Sequence, residues 1–191
     1  MSKVERLKVL GGTVDFLLLQ RKYKDVLELA QNTSDDVFSV VPGSIALKYF
    51  AIGLAQKALG DENQSRAAFL KAKGFCEENA KQKPDDADAH IQLAKLQAWL
   101  GEKDAALAEA QRATQLRPES KDAFEGPQVT GQVAEIYAIL GENDRAIQLL
   151  DGLMNRPSDL TVYGLKLNPA WDPLRKDPRF QALIDKYSAK A

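Results

Sequence analysis

Leu59-Gly60-Asp61-Glu62-Asn63, Leu100-Gly101-Glu102-Lys103-Asp104 and Leu140-Gly141-Glu142-Asn143-Asp144 are three versions of one signal. Each is a Leu-Gly pair, then polar and acidic residues, then an Ala-rich amphipathic run. A degenerate fourth version centres on Arg21, in Gln20-Arg21-Lys22-Tyr23-Lys24-Asp25. The anchors 21, 60, 101 and 141 are spaced by 39, 41 and 40 residues. A repeat of that length is one supersecondary unit that cannot bury its apolar face alone, so neighbours must stack. Each Gly suits the left-handed cap that ends one helix. The acidic residues after it, Asp61, Asp104 and Asp144, favour the start of the next.

The register extends beyond the turn. Seven residues before each anchor stand Val14, Gly53, Ala94 and Ala134; five after it stand Val26, Ser65, Ala106 and Ala146. Twelve after it stand Thr33, Ala72, Ala113 and Leu153. Mostly small residues at fixed points on two consecutive helices allow close ridge-into-groove packing. Larger residues fill the space between: Ile52, Leu93 and Val133 before the turn, Phe69, Leu107, Ile147 and Leu150 after it. The pattern predicts helices over Val4–Leu19, Tyr23–Gln31, Ile45–Leu59, Glu62–Gln82, Asp85–Leu100, Lys103–Leu116, Pro127–Leu140 and Asn143–Met154. Gly11-Gly12 weakens the first, Asn32 to Asp36 and Pro42-Gly43-Ser44 read as loops, and Ser44 is a candidate cap. A short turn is expected at Asp159–Leu165. Asp177-Pro178, an N-cap followed by a first-turn proline, opens a last helix reaching Tyr187. No run of β-branched residues sustains the alternation of a strand.

These residues resemble the tetratricopeptide repeat family. Leu93-Ala94, Leu100-Gly101, Ala106, Ala113 and Pro118 carry the resemblance in the third copy. Ala134, Tyr137, Gly141, Ala146 and Pro157 carry it in the fourth, and Gly53, Gly60, Phe69 and Ala72 in the second. The first copy lacks the turn Gly and matches only through Tyr23, Val26 and Ala30. The family unit is about 34 residues; the excess here falls in Phe75–Pro84 and Glu119–Gly126, as lengthened second helices or inserted turns. Units of this length also suit HEAT-like repeats, and the Leu-Gly turn with its Ala positions favours the tetratricopeptide reading. The resemblance implies an all-α, right-handed superhelical solenoid of about four helix pairs (4–33, 44–83, 85–118, 127–157) in a single domain, closed by a C-terminal cap over 158–191.

Leu167-Asn168-Pro169-Ala170-Trp171-Asp172-Pro173-Leu174, followed by Arg175 to Phe180, resembles the closing segment of repeat modules in certain bacterial signalling proteins. There the module follows a transcription-regulator, adenylate cyclase or protein kinase domain. That implies a bacterial source and a sensing, oligomerising or partner-binding role. Trp171, with Pro169, Pro173, Leu174 and Phe180, is expected to seal the last apolar face; Trp99 is read as structural.

Composition excludes several classes. With 26 basic and 27 acidic residues and a net charge of −1, there is no electrostatic footprint for nucleic acid. No stretch has the roughly 20 apolar residues that span a bilayer. Met1-Ser2-Lys3-Val4-Glu5-Arg6 lacks the apolar core of a signal peptide, which favours the cytoplasm for the chain as written, with an extracytoplasmic site left open for a piece of an anchored protein. Lone Cys76 and lone His90 leave no metal site and no nucleophile–base pair. Gly11-Gly12 is not a phosphate loop. Glu77-Glu78 and Asp85-Asp86 are adjacent, so their side chains diverge. The expectation is therefore no enzyme, cofactor or metal, and a partner that is a protein or peptide.

On the family's geometry the first helix of each pair faces the groove. That assigns Leu47, Phe50, Leu54 and Lys57 in the second copy, Asp88, Ile91, Lys95 and Ala98 in the third, and Gln128, Gly131, Glu135 and Ala138 in the fourth. The partner-binding set is Leu47, Phe50, Leu54, Lys57, Ile91, Lys95 and Glu135. Some family members clamp a C-terminal carboxylate with Lys, Asn and Arg; Phe50, Leu54 and Gly131 replace such donors here. The apolar patch Leu47–Phe50–Leu54 suits an amphipathic helix or extended peptide. The alternative is that Phe50 and Leu54 pack on neighbouring structure.

Overall fold

A computed structural model describes residues 2–38 and 44–189. The loop expected at Pro42-Gly43 lies outside the described residues. The chain divides into two compact units, Met1–Gln82 and Lys83–Ala191. Among the described residues there are helices and no strand. Unit 1 holds α1 (Lys3–Leu19), α2 (Tyr23–Gln31), α3 (Asp35–Phe38), α4 (Ser44–Ala58) and α5 (Glu62–Gln82). Unit 2 holds α6 (Ala87–Trp99), α7 (Lys103–Leu116), α8 (Gly126–Ile139), α9 (Asn143–Met154), α10 (Val162–Leu167), a 3₁₀ turn (Pro169–Leu174) and α11 (Pro178–Ser188). Consecutive helices pack as pairs: α1 on α2, α4 on α5, α6 on α7, α8 on α9. Within each unit this is the all-helical, paired arrangement of tetratricopeptide-like repeats.

Within each of the four pairs the two helices are joined by the same turn. The Gly101 N–H donates to the Ala98 carbonyl at 3.0 Å, and the Glu102 N–H to the Gln97 carbonyl at 2.8 Å. Gly60/Asp61 and Gly141/Glu142 repeat both bonds. This is the Schellman cap, which satisfies carbonyls left over at a helix end and needs a left-handed residue. Gly60, Gly101 and Gly141 have φ of 84°, 80° and 76°. Arg21 adopts φ 58° and makes the same two bonds, Arg21 N–H to Leu18 O and Lys22 N–H to Leu17 O. The degenerate copy thus keeps the turn geometry without its glycine. Asp61 caps α5, accepting from the Gln64 N–H at 3.0 Å. Asp104 and Asp144 instead sit within the first turns of α7 and α9, whose N-cap residues Glu102 and Glu142 make no side-chain cap bond.

The small residues line the seams. Val26, Ala106 and Ala146 are 0% exposed, and Ser65 is buried. Gly53, Ala94, Ala134, Ala72, Ala113 and Leu153 are buried as well, whereas Val14 and Thr33 of the first copy are half-buried. The excess length takes both expected forms. Phe75 to Gln82 continues α5 without a break. Residues 117–125 form turns in which Asp122 Oδ1 accepts from the Phe124 and Glu125 N–H groups.

One difference from the sequence reading has a local cause. Asp35 and Asp36, expected in a loop, begin the single turn α3, where acidic residues favour a helix N-terminus. Gly11-Gly12 does not interrupt α1.

The last apolar face of unit 2 is closed by α10, the 3₁₀ turn and α11. Trp171, Leu174, Phe180, Leu183 and Ile184 pack with Ala134, Ala138, Ala146 and Leu150 in one buried cluster. Asp177 N-caps α11 by accepting from the Arg179 N–H at 3.0 Å. The Arg179 guanidinium bridges Asp177 (2.7 Å) and Asp144 (2.5 Å), tying α11 to the start of α9. Hydrogen bonding by Arg179 holds the Asp177 carboxyl far below the usual carboxylate range. The Tyr187 hydroxyl donates to Asp151 Oδ1 at 2.9 Å, adding a second tie to α9.

Candidate functional site

In unit 1 the expected binding residues lie on α4. On one side of α4, Lys48, Ala51 and Ala55 are buried at helical spacing, Ala51 and Ala55 in a cluster with Val26 of α2; nearly opposite, Gly53 is buried against the Phe69 ring of α5. Leu47 points away and is 52% exposed. Phe50 and Leu54 are half-buried, as is Lys57, which pairs with Glu62 at 3.2 Å. The Phe50 ring lies 5.9 Å from that of Phe69 on α5. Phe50 is therefore partly committed to its own helix pair. Leu47 is the most available apolar group of the patch.

A polar network beneath this face went unseen in the sequence. Lys48 is only 8% exposed, and its Nζ donates to Asp35 Oδ1 and to the Thr33 carbonyl, both at 2.6 Å. The same ammonium sits 5.5 Å from the Phe38 ring centre. Tyr49 donates to Asp35 Oδ2 at 2.8 Å and accepts from Lys71 Nζ at 2.6 Å. The Lys48 and Tyr49 hydrogen bonds hold the Asp35 carboxyl below its ordinary range. Its products are order and orientation: α3 is pinned to α4, and α4 to α5. The signal was a lysine at an inward position of an otherwise apolar stripe, because a buried cation requires a carboxylate.

In unit 2 the expected residues behave differently from one another. Ile91 is 1% exposed in the α6–α7–α8 cluster. It is core, because α6 packs on both α7 and α8 and is apolar over most of its circumference. Lys95 on α6 and Glu135 on α8 do meet, at 2.7 Å, with side chains 19% and 16% exposed. They bind each other and fasten the first helices of adjacent pairs. Asp88 is held bidentately by Arg117, at 2.9 and 3.0 Å.

The two residues weighed for chemistry are occupied. His90 Nδ1 lies 2.5 Å from Glu109 Oε2, and Nε2 lies 3.0 Å from the Pro84 carbonyl oxygen. Both ring nitrogens face acceptors, so neither is positioned toward a substrate; the ring ties the start of α6 to α7. Cys76 is 2% exposed, and burial pushes its thiol up to about 12, the wrong direction for a nucleophile. Among the described residues, no group of three or more His, Cys, Asp or Glu side chains is placed to hold a metal ion. No described helix is long and apolar enough to cross a membrane.

Residues 49–79, which span α4 from its second turn and most of α5, match the family model described as Tetratricopeptide repeat. No curated protein and no solved structure matched the chain. The α4–α5 pair is thus similar to a tetratricopeptide repeat, a unit whose usual work is protein–protein interaction rather than catalysis.

Proposed function

We propose that this chain is a non-enzymatic interaction module that binds a peptide or partner protein on the first helices of its pairs. The observation that carries the proposal is the outward face of α4, within and beside the matched repeat: Leu47 exposed, Phe50, Leu54 and Lys57 half-buried, all on a helix held rigidly from behind by the Asp35–Lys48–Tyr49 network. A preorganised helix face loses little entropy on binding, so modest contacts suffice for useful affinity. Lys95 and Glu135 form the polar part of the corresponding face in unit 2. The resemblance of Leu167 to Phe180 to bacterial signalling modules supports a narrower version. In it, the module senses or oligomerises for a catalytic or DNA-binding domain.

The test is affinity capture from an extract of the source organism with the wild-type chain and two variants. Leu47→Asp changes an exposed residue and leaves the fold alone. The double exchange Lys95→Glu with Glu135→Lys keeps the ion pair but reverses its polarity. Loss of a captured partner with each variant, at unchanged helicity, is the expected result. A partner retained by both variants overturns the assignment of this face.

A further inference from the structure

Unit 2 carries a groove of about 560 Å³ on the other side of α8. Its floor is Val133 and Tyr137, one turn apart on α8. Both lie two residues from Glu135, roughly 200° around the helix, so the groove faces away from the Lys95–Glu135 pair. One wall is α7, through Leu107, Gln111 and Thr114; the other is α9, through Arg145, Gln148 and Leu149. Wall residues at i, i+4 and i+7 make α7 a ridge of two turns, about 10 Å long. The floor is apolar and half-buried, and carboxamides stand on both rims.

Its electrostatics are one-sided. Arg145 is the one charged residue lining the groove. The guanidinium lies 5.5 Å from the centre of the Tyr137 ring and makes no ion pair among the described residues. Glu142 acts on Arg145 only through space, being hydrogen-bonded to Lys103, and Asp144 pairs with Arg179. The aromatic ring orients the cation over an apolar trough without neutralising it.

We infer that this groove docks a two- to three-turn amphipathic helix of a partner protein, with apolar side chains at i, i+3 or i+4 and i+7 on Val133, Tyr137, Leu107 and Leu149, and an Asp or Glu against Arg145. Two helical walls over an apolar floor accept a third helix by the same ridge-and-groove fit that packs the repeats themselves. The unpaired cation selects an acidic segment, and the rim glutamines serve the helix's polar flank. The inference rests on the interaction-module reading but uses a different face.

The experiment selects a displayed library of random 16-residue peptides against the intact chain and measures the survivors by fluorescence anisotropy. Enriched peptides should carry an acid next to apolar residues at helical spacing. Arg145→Glu, an exposed change, should weaken them by about tenfold or more, which corresponds to about 1.4 kcal/mol. Leu47→Asp should leave them unaffected, which separates failure here from failure of the α4 face. Peptides without an acid, affinities indifferent to Arg145→Glu, or no enrichment would overturn the inference. So would a self-associated chain that Arg145→Glu disperses, since the occupant would then be a second copy.

Discussion

The Ser65 hydroxyl donates to the Gly53 carbonyl at 2.9 Å across the buried seam between α4 and α5. The equivalent positions elsewhere are Val26, Ala106 and Ala146, each fully buried and apolar. A hydroxyl is tolerated here because a carbonyl on the facing helix has a second lone pair to offer. The helices approach closely enough for that bond because residue 53 has no side chain. A Cβ there would lie 2.5 Å from two carbon atoms of the Phe69 ring, which is itself 2% exposed. Ala would gain about 1 kcal/mol of helix propensity over Gly, but overpacking a fixed ring costs about 1–3 kcal/mol. Gly53→Ala should therefore lower the stability of the chain, and Ser65→Ala should change it by no more than about 1 kcal/mol. Thermal unfolding by circular dichroism separates the two; a raised midpoint for Gly53→Ala would contradict the close approach.

The four caps make a paired prediction. Arg21 at φ 58° bears the cost of a left-handed Cβ, about 1–2 kcal/mol. Arg21→Gly should stabilise, by about 0.5–1 kcal/mol once the freer unfolded chain is counted. Gly101→Ala should destabilise by about 1–2 kcal/mol at φ 80°, although nothing lies within 4 Å of the added carbon. Chemical denaturation of both variants checks the signs. Equal shifts in one direction would refute the shared geometry.

Asp35 sets an acid limit on unit 1. Its carboxyl titrates below its ordinary value because Lys48 and Tyr49 donate to the charged form. Its contribution is complete above the unfolded value of about 3.9 and disappears as pH falls through the lower folded value. With its side chain 47% exposed, solvent screens the ion pair, and Asp35→Asn should cost about 1 kcal/mol at neutral pH. That deficit should shrink toward zero on acidification below about pH 4. A deficit that stays constant down to pH 2 would show that Asp35 is not the titrating partner.

Trp171 is 5% exposed at the centre of the terminal cluster. Trp171→Ala should cost about 3–5 kcal/mol, the range for emptying a large aromatic site. Truncation after Leu167 removes the 3₁₀ turn and α11 and uncovers Ala134, Ala138, Ala146 and Leu150. Light scattering should then report association, because an uncovered apolar helix face seeks a partner. A monodisperse truncated chain with unchanged unfolding would remove the sealing role.

The sequence by itself determined the period, the turns and most helix limits. α2, α5, α7 and α9 fall on the expected residues, because caps, prolines and apolar spacing act over a few positions. The Asp177-Pro178 start of α11 was legible for the same reason. Tertiary structure alone decided what the side chains do across those elements. Arg21 takes a glycine conformation because the pairing of α1 with α2 imposes it. Lys48 turns inward because Asp35, thirteen residues earlier, is held by α3 to receive it. Lys95 and Glu135, both assigned to a ligand, are forty residues apart and close on each other. The Arg145 groove exists only because α7 and α9 pack on one helix, α8. Local propensity follows from neighbours along the chain; partnership between charges depends on which face each helix turns to another, and packing sets that.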